Sequence, residues 1–226
     1  MTHTTVDPGA EFDRQVDNFV ERGYPSMAGQ TPEQFTALVA PLRDLATGIG
    51  VGVGVGQGAW EPDTGRVPFL LVVTRDVAPI ERTMPHTTLH GKTKPGFVDR
   101  SFEPGALERF VAVKETGLSD QRAYLLLDVE RGEEFCGVVP NDAMDALTTR
   151  GRSPLTIEEG IAMITHFPEI LVKNKCFSLG GSRSGDRRVP ALWISRHAPK
   201  LGWCWEGNPH TWLGMASAGS RRATAY

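Results

Sequence analysis

Helical and strand periodicities are segregated along this chain, and that segregation limits its architecture more than any other feature of the sequence. Near the start, Phe12, Val16, Phe19 and Val20 recur at helical spacing, and Gly23-Tyr24-Pro25 predicts a stop. Thr31-Pro32-Glu33-Gln34 then supplies a cap residue, a proline at the first helical position and a capping-box glutamine. The stripe that follows, Phe35, Leu38, Val39, Leu42 and Leu45, should be kinked by Pro41. The last third alternates instead with a period of two. Cys176 to Gly181, Arg188 to Ser195 and Leu201 to Glu206 read as strands, and the Ser184-Gly185-Asp186 turn and the short gap from Ser195 to Leu201 suit an antiparallel meander.

Between these ends, Phe69 to Val73 and Tyr124 to Val129 read as strands. Leu107, Phe110 and Val111 suggest a short helix, as does Asn141 to Leu147. Thr156-Ile157-Glu158-Glu159 is a capping box opening a stronger helix through Ile157, Ile161 and Ile164, which Pro168 ends or bends. The resulting expectation is the α+β class: a mixed or antiparallel sheet with N-terminal helices packed on it and a C-terminal β-meander. A single domain over residues 1–226 is expected, since that length can bury one sizeable core. The Gly48 to Gly58 repeat, with glycine at every even position, fits either a strand with Ile49, Val51, Val53 and Val55 on one face or a flexible loop.

Composition narrows the function classes. With 24 basic and 27 acidic residues and a formal net charge of -3, the chain offers no general field for a phosphate backbone, so no nucleic-acid partner is expected. No apolar run approaches the ~20 residues of a membrane helix, and no membrane association is expected. The acidic opening, with Asp7, Glu11, Asp13, Asp17 and Glu21, lacks the pattern of a signal peptide. Cys136, Cys176 and Cys204 are odd in number and widely spaced, which predicts free thiols and the reducing cytoplasm. Oligomeric state is left open.

Cofactor motifs fail on spacing. Gly54-x-Gly56-x-x-Ala59 is followed by Pro62, Gly65 and Pro68, which cannot open the helix that would hold a pyrophosphate. Gly91-Lys92-Thr93 ends like a phosphate-binding loop, yet His86 stands where its first glycine belongs. Neither His-Glu-x-x-His nor Gly-x-Ser-x-Gly occurs. His86 and His90 are four apart but sit in a proline- and threonine-containing loop with no third ligand near, so neither a metal nor another cofactor is expected.

The informative region is Cys176 to Gly214. Four of the five tryptophans fall there, and alternation puts Trp203 and Trp205 on one strand face, as core or as the wall of a pocket. Arg183, Arg187 and Arg188 surround a Gly/Ser turn and could hold an anion, unless Asp186 merely pairs with one of them. His210, held by Asn208-Pro209, is the candidate catalytic acid/base, oriented by Asp186 or Glu206. His166 ends a helix, where the dipole would favour its charged form. The leading reading is a protein that binds a small anionic or aromatic molecule near this meander. A metal-independent enzyme built on His210 and an arginine is the second, and a protein–protein interaction module the third.

The runs Gly185-Asp-Arg-Arg-Val-Pro-Ala-Leu-Trp-Ile-Ser195, Pro199-Lys-Leu-Gly-Trp-Cys-Trp205 and Gly207-Asn-Pro-His-Thr-Trp-Leu-Gly214 resemble a family of uncharacterised actinobacterial proteins, a domain of unknown function. The likeness extends to Leu155–Ile161, His166–Glu169, Tyr124–Gly132 and the N-terminal helices. It implies no catalytic residue.

Overall fold

The computed structural model of the chain describes residues 7–48, 64–117 and 121–224. Beyond Gly48, the glycine-valine repeat lies outside the described residues. Helix α1 (Pro8–Glu21) is capped by Asp7, whose carboxylate accepts a hydrogen bond from the Ala10 amide at 2.7 Å. It buries Phe12, Val16 and Phe19. The chain turns at Gly23, φ 77°, into α2 (Tyr24–Met27). α3 (Pro32–Val39) begins with the complete Thr31/Gln34 capping box. Pro41 breaks the stripe rather than kinking it: α3 stops at Val39 and α4 (Leu42–Gly48) starts afresh, because the proline lacks the donor and its ring crowds the preceding turn.

The remaining elements are β1 (Arg66–Val73), α5 (Ile80–Thr83), β2 (Phe97–Val98), β3 (Val111–Ala112), β4 (Ala123–Glu130), α6 (Pro140–Thr149), β5 (Ser153–Pro154), α7 (Ile157–His166), β6 (Cys176–Ser178), β7 (Ser182–Arg183), β8 (Arg188–Ser195), β9 (Ala198–Trp205), β10 (Leu213–Met215) and β11 (Ser217–Arg222). Where a short α-helix around Leu107, Phe110 and Val111 was expected, a single 3-10 turn (Ala106–Arg109) leads into β3.

One sheet has the order β1-β4-β11-β5 and is antiparallel throughout. The second has the order β10-β6-β8-β9-β2. Its middle is the antiparallel meander β6-β8-β9, while β10 runs parallel to β6 and β2 parallel to β9. β3 and β7 form a separate two-stranded pair. The class is therefore α+β, as the segregated periodicities imply. The β8–β9 turn consists of Arg196 (φ 52°) and His197 (φ 61°), two left-handed residues in a row, which match the natural twist of a tight hairpin.

Helix α7 organises the interior. It touches α1, β1 and β8, and its residues are buried nearly all round, as expected of a helix that is apolar on every side. Its last residue, His166, corrects the helix-dipole expectation. The ring is only 3 % exposed, and burial pushes its pKa down to about 3. Nε2 lies 3.0 Å from the Leu71 carbonyl oxygen, so Nε2 carries the hydrogen of a neutral imidazole. Desolvation outweighs the helix terminus.

Candidate functional site

The β8–β9 register sorts the aromatic and basic side chains of the meander onto two faces. Arg188 opposes Trp205 and Pro190 opposes Trp203, whereas Trp193 opposes Lys200 and Ala191 opposes Gly202. On the first face, Trp203 and Trp205 meet edge-to-face at 4.9 Å. The Arg188 guanidinium lies over the rings of Phe110 (5.2 Å) and Trp203 (5.6 Å). On the opposite face, Trp193 covers the bare backbone of Gly202 and meets Trp212 at 6.0 Å. His210 is with this second group, its ring 5.3 Å from that of Trp212.

The three arginines find carboxylates within the chain. Arg188 donates from Nε and Nη2 to Asp186 at 2.9 and 2.7 Å, which holds the Asp186 carboxyl down at about 2. Arg183 forms a close ion pair with Glu206, and Arg187, exposed over 73 % of its side chain, adds a longer contact to the same carboxylate at 3.4 Å. The hydrogen bond from Arg183 holds Glu206 below the usual carboxylate range. Asp186 and Glu206 are thus both engaged by arginines, not by His210. The void beside His210, bounded also by Phe135, Ser178 and Leu213, measures about 10 Å³, the size of one water. His90, from the other histidine pair, is 75 % exposed and 3.9 Å from the Glu169 carboxylate.

A larger space lies elsewhere. A cleft of about 270 Å³ opens between the end of α6, β5 and β11, lined by Thr116, Thr148, Gly151, Arg152, Ser153, Pro154, Gly219, Ser220 and Arg221. Its two charged lining residues are both arginines, and each is held from behind by acidic groups. Arg221 grips Glu159 with two hydrogen bonds, Nε to Oε1 at 2.6 Å and Nη2 to Oε2 at 2.8 Å. Glu159 is wholly buried and Arg221 has 6 % of its side chain exposed. Taking such a pair out of water costs several kcal/mol per ion, so it persists only with further hydrogen bonds. They are present: the Tyr124 hydroxyl and the Thr156 amide each donate to Glu159 at 2.8 Å, so both carboxylate oxygens are doubly satisfied. Burial, with the Glu159 charge beside it, drives the Tyr124 hydroxyl well above its ordinary pKa.

Arg152 is held by a defect in the first sheet. Asp128, within β4, adopts φ 52°. A non-glycine residue in this region costs about 1–3 kcal/mol. The pairing register is unchanged on both sides, which places Asp128 between Pro68 of β1 and Gly219 of β11. Pro68 has no N–H to lose from the ladder. Gly219 has no side chain to obstruct the aspartate: a Cβ there would lie 3.0 Å from Asp128 Oδ2. Both acceptors of Asp128 go to Arg152, the carboxylate taking Nη1 at 2.5 Å and the backbone carbonyl taking Nη2 at 2.6 Å. Arg152 also donates to the hydroxyl and carbonyl oxygens of Ser217 at 3.0 and 3.3 Å. Because Asp128 is 49 % exposed, its ion pair with Arg152 is worth only about 0.2–1 kcal/mol.

A guanidinium carries five N–H donors. Four of those on Arg221 go to Glu159, Pro154 and Ser153, and four of those on Arg152 go to Asp128 and Ser217. Each arginine keeps one further N–H, on Nη1. With the hydroxyls of Ser153 and Ser220, these donors suit a small oxyanion. The volume is just below the range of about 300–1,000 Å³ typical of drug-sized ligands, so a compact molecule fits better than a nucleotide.

None of the cleft residues was singled out by local spacing. Two signals were present: an aspartate inside the apolar Leu-Leu-Leu-Asp128-Val run and a capping-box Glu159 on a helix too apolar to expose it. Among the described residues, no three His, Cys, Asp or Glu side chains gather to hold a metal, and the three cysteines are free thiols. No helix among them is long and apolar enough to cross a membrane. Comparison with curated proteins and with solved structures finds no match. A family model, described as a family of unknown function (DUF5701), matches residues 18–224, which span both sheets and every residue of the cleft, and the chain belongs to that family.

Proposed function

We propose that this chain binds a small oxyanion-bearing molecule in the cleft between α6, β5 and β11. One observation carries the reading: the charged lining consists of two guanidinium groups, both fixed in place by internal acceptors, each with a donor to spare. Fixed donors reduce the ordering cost of binding. The cleft is preferred to Arg183, Arg187 and Arg188, where an anionic ligand was first expected, because Arg152 and Arg221 line a concavity of about 270 Å³, room enough for a small molecule. Three free thiols and the resemblance of the C-terminal motifs support a cytoplasmic, actinobacterial protein, and the net charge of -3 supports a small-molecule rather than a nucleic-acid partner.

The test is calorimetry and thermal denaturation with acetate, succinate, benzoate and inorganic phosphate at low ionic strength. Saturable binding of at least one is expected, with about 2.7 kcal/mol of added stability at a hundredfold excess over Kd. Thr148→Trp places a large ring in the cleft from an exposed helical position and should abolish binding without unfolding the chain. Binding unaltered by that substitution, or no binding across the panel, would refute the reading.

A further inference from the structure

The strained aspartate beside the cleft has chemistry of its own to offer. Asp128 presents two oxygens, one from its carboxylate and one from its backbone carbonyl, to the two terminal nitrogens of Arg152. Two oxygens on that edge of a guanidinium is the arrangement a bound carboxylate adopts. Three further observations place this contact where a ligand can compete for it. Arg152 and Gly219 both line the cleft. The Asp128 carboxylate is half-exposed and packs directly over the Gly219 backbone. Asp128 makes this contact from φ 52°, a conformation costly for a residue other than glycine.

We propose that the Asp128 side chain is an internal stand-in for the ligand: its carboxylate occupies Nη1 of Arg152 in the unliganded chain, and the carboxylate of a small organic acid takes that place beside the Asp128 carbonyl. This rests on the cleft reading above and specifies both the ligand's charged group and the residue that limits its affinity. Asp128 then weakens the apparent affinity by a constant factor, because an incoming acid must exchange with it. Glu130, 3.8 Å from Arg152 and itself 2.8 Å from Arg66, stays behind as the arginine's remaining counter-charge.

Succinate and inorganic phosphate are titrated calorimetrically into the wild type, Asp128→Asn, Asp128→Gly and Thr148→Trp, each first shown to be folded by urea denaturation. Asp128→Asn removes the competing charge and should bind succinate about fivefold more tightly at low salt, a gap that closes as salt rises. Asp128→Gly accepts φ 52° without strain and should tighten binding in the same direction, so the test survives if the asparagine variant misfolds. In wild-type protein, the Asp128 and Gly219 amide resonances should shift on saturation with succinate. Equal or weaker succinate binding by both Asp128 variants overturns the stand-in. If Thr148→Trp loses succinate in that case, the cleft reading survives alone; if Thr148→Trp binds like wild type, both fall. Phosphate binding more tightly than succinate overturns the carboxylate assignment.

Discussion

Lowering the pH from 7 to 5 protonates a free histidine but not His166 in the folded chain. Burial holds its folded pKa at about 3 against an ordinary 6.5, so between those values the unfolded chain binds one more proton than the native one. The sign follows: the stability this neutral histidine contributes is fully present above pH 6.5 and is lost as pH falls towards 3. At 1.36 kcal/mol per unit, the loss between pH 7 and pH 5 is about 2 kcal/mol, a large share of a typical net stability. The depressed carboxylates of Asp99 and Asp186, both at about 2 against 3.8, act only below pH 4. Those of Glu133 and Glu206, lowered from 4.5, begin to act near pH 5 and are subtracted by the control variant. Urea denaturation at the two pH values measures the slope, and His166→Gln supplies the control. Glutamine can still donate to the Leu71 carbonyl but does not titrate, so the variant should be less stable at pH 7 yet nearly flat between pH 7 and 5. Wild type and His166→Gln losing the same stability over that interval would refute the argument.

Two stability predictions concern the other buried contacts. Glu159→Gln leaves the Arg221 charge buried without its counter-ion and should cost about 3–5 kcal/mol by urea denaturation. Gly202→Ala would set a Cβ 2.1 Å from the Trp193 ring; about 1–3 kcal/mol of destabilisation and an altered near-ultraviolet circular dichroism spectrum are expected as that ring is pushed off the strand.

What could be read from the sequence was local. The Thr31/Gln34 and Thr156/Glu159 capping boxes depend on residues three positions apart, and both formed where they were expected. β8 and β9 are joined by two residues, so alternation and turn residues sufficed there, whereas the strand expected over Cys176–Gly181 ends at Ser178 and the chain passes through β7, in another sheet, before β8. The two-residue strands β2, β3, β5 and β7 carry too few positions for any period to show, and only partners distant in sequence define them. The same limit hid the cleft. Arg152, Ser153, Gly219 and Arg221 become neighbours only because β5 and β11 pair, with Ser217 opposite Pro154. At the meander, the residue inventory was right but its grouping was not. His210 and Trp203 are close in sequence, yet His210, in the loop after β9, packs on Trp212 beside the face of the β8–β9 hairpin opposite Trp203, and sequence proximity carries no information about face.

The placement of β11 between β4 and β5 also orders events during synthesis. β1, β4 and β5 emerge from the ribosome long before Ser217–Arg222, and until that strand arrives β4 has a bare edge along Leu125–Glu130 while Glu159 lacks its arginine. An unpaired apolar edge is a template for wrong pairing. β11 therefore completes the first sheet: it attaches β5 to the β1–β4 pair, supplies the counter-charge of Glu159 and closes one side of the cleft. A nascent chain stalled before β11 should depend on chaperone protection, and its release by completion of β11 would appear as a single cooperative gain in protease resistance.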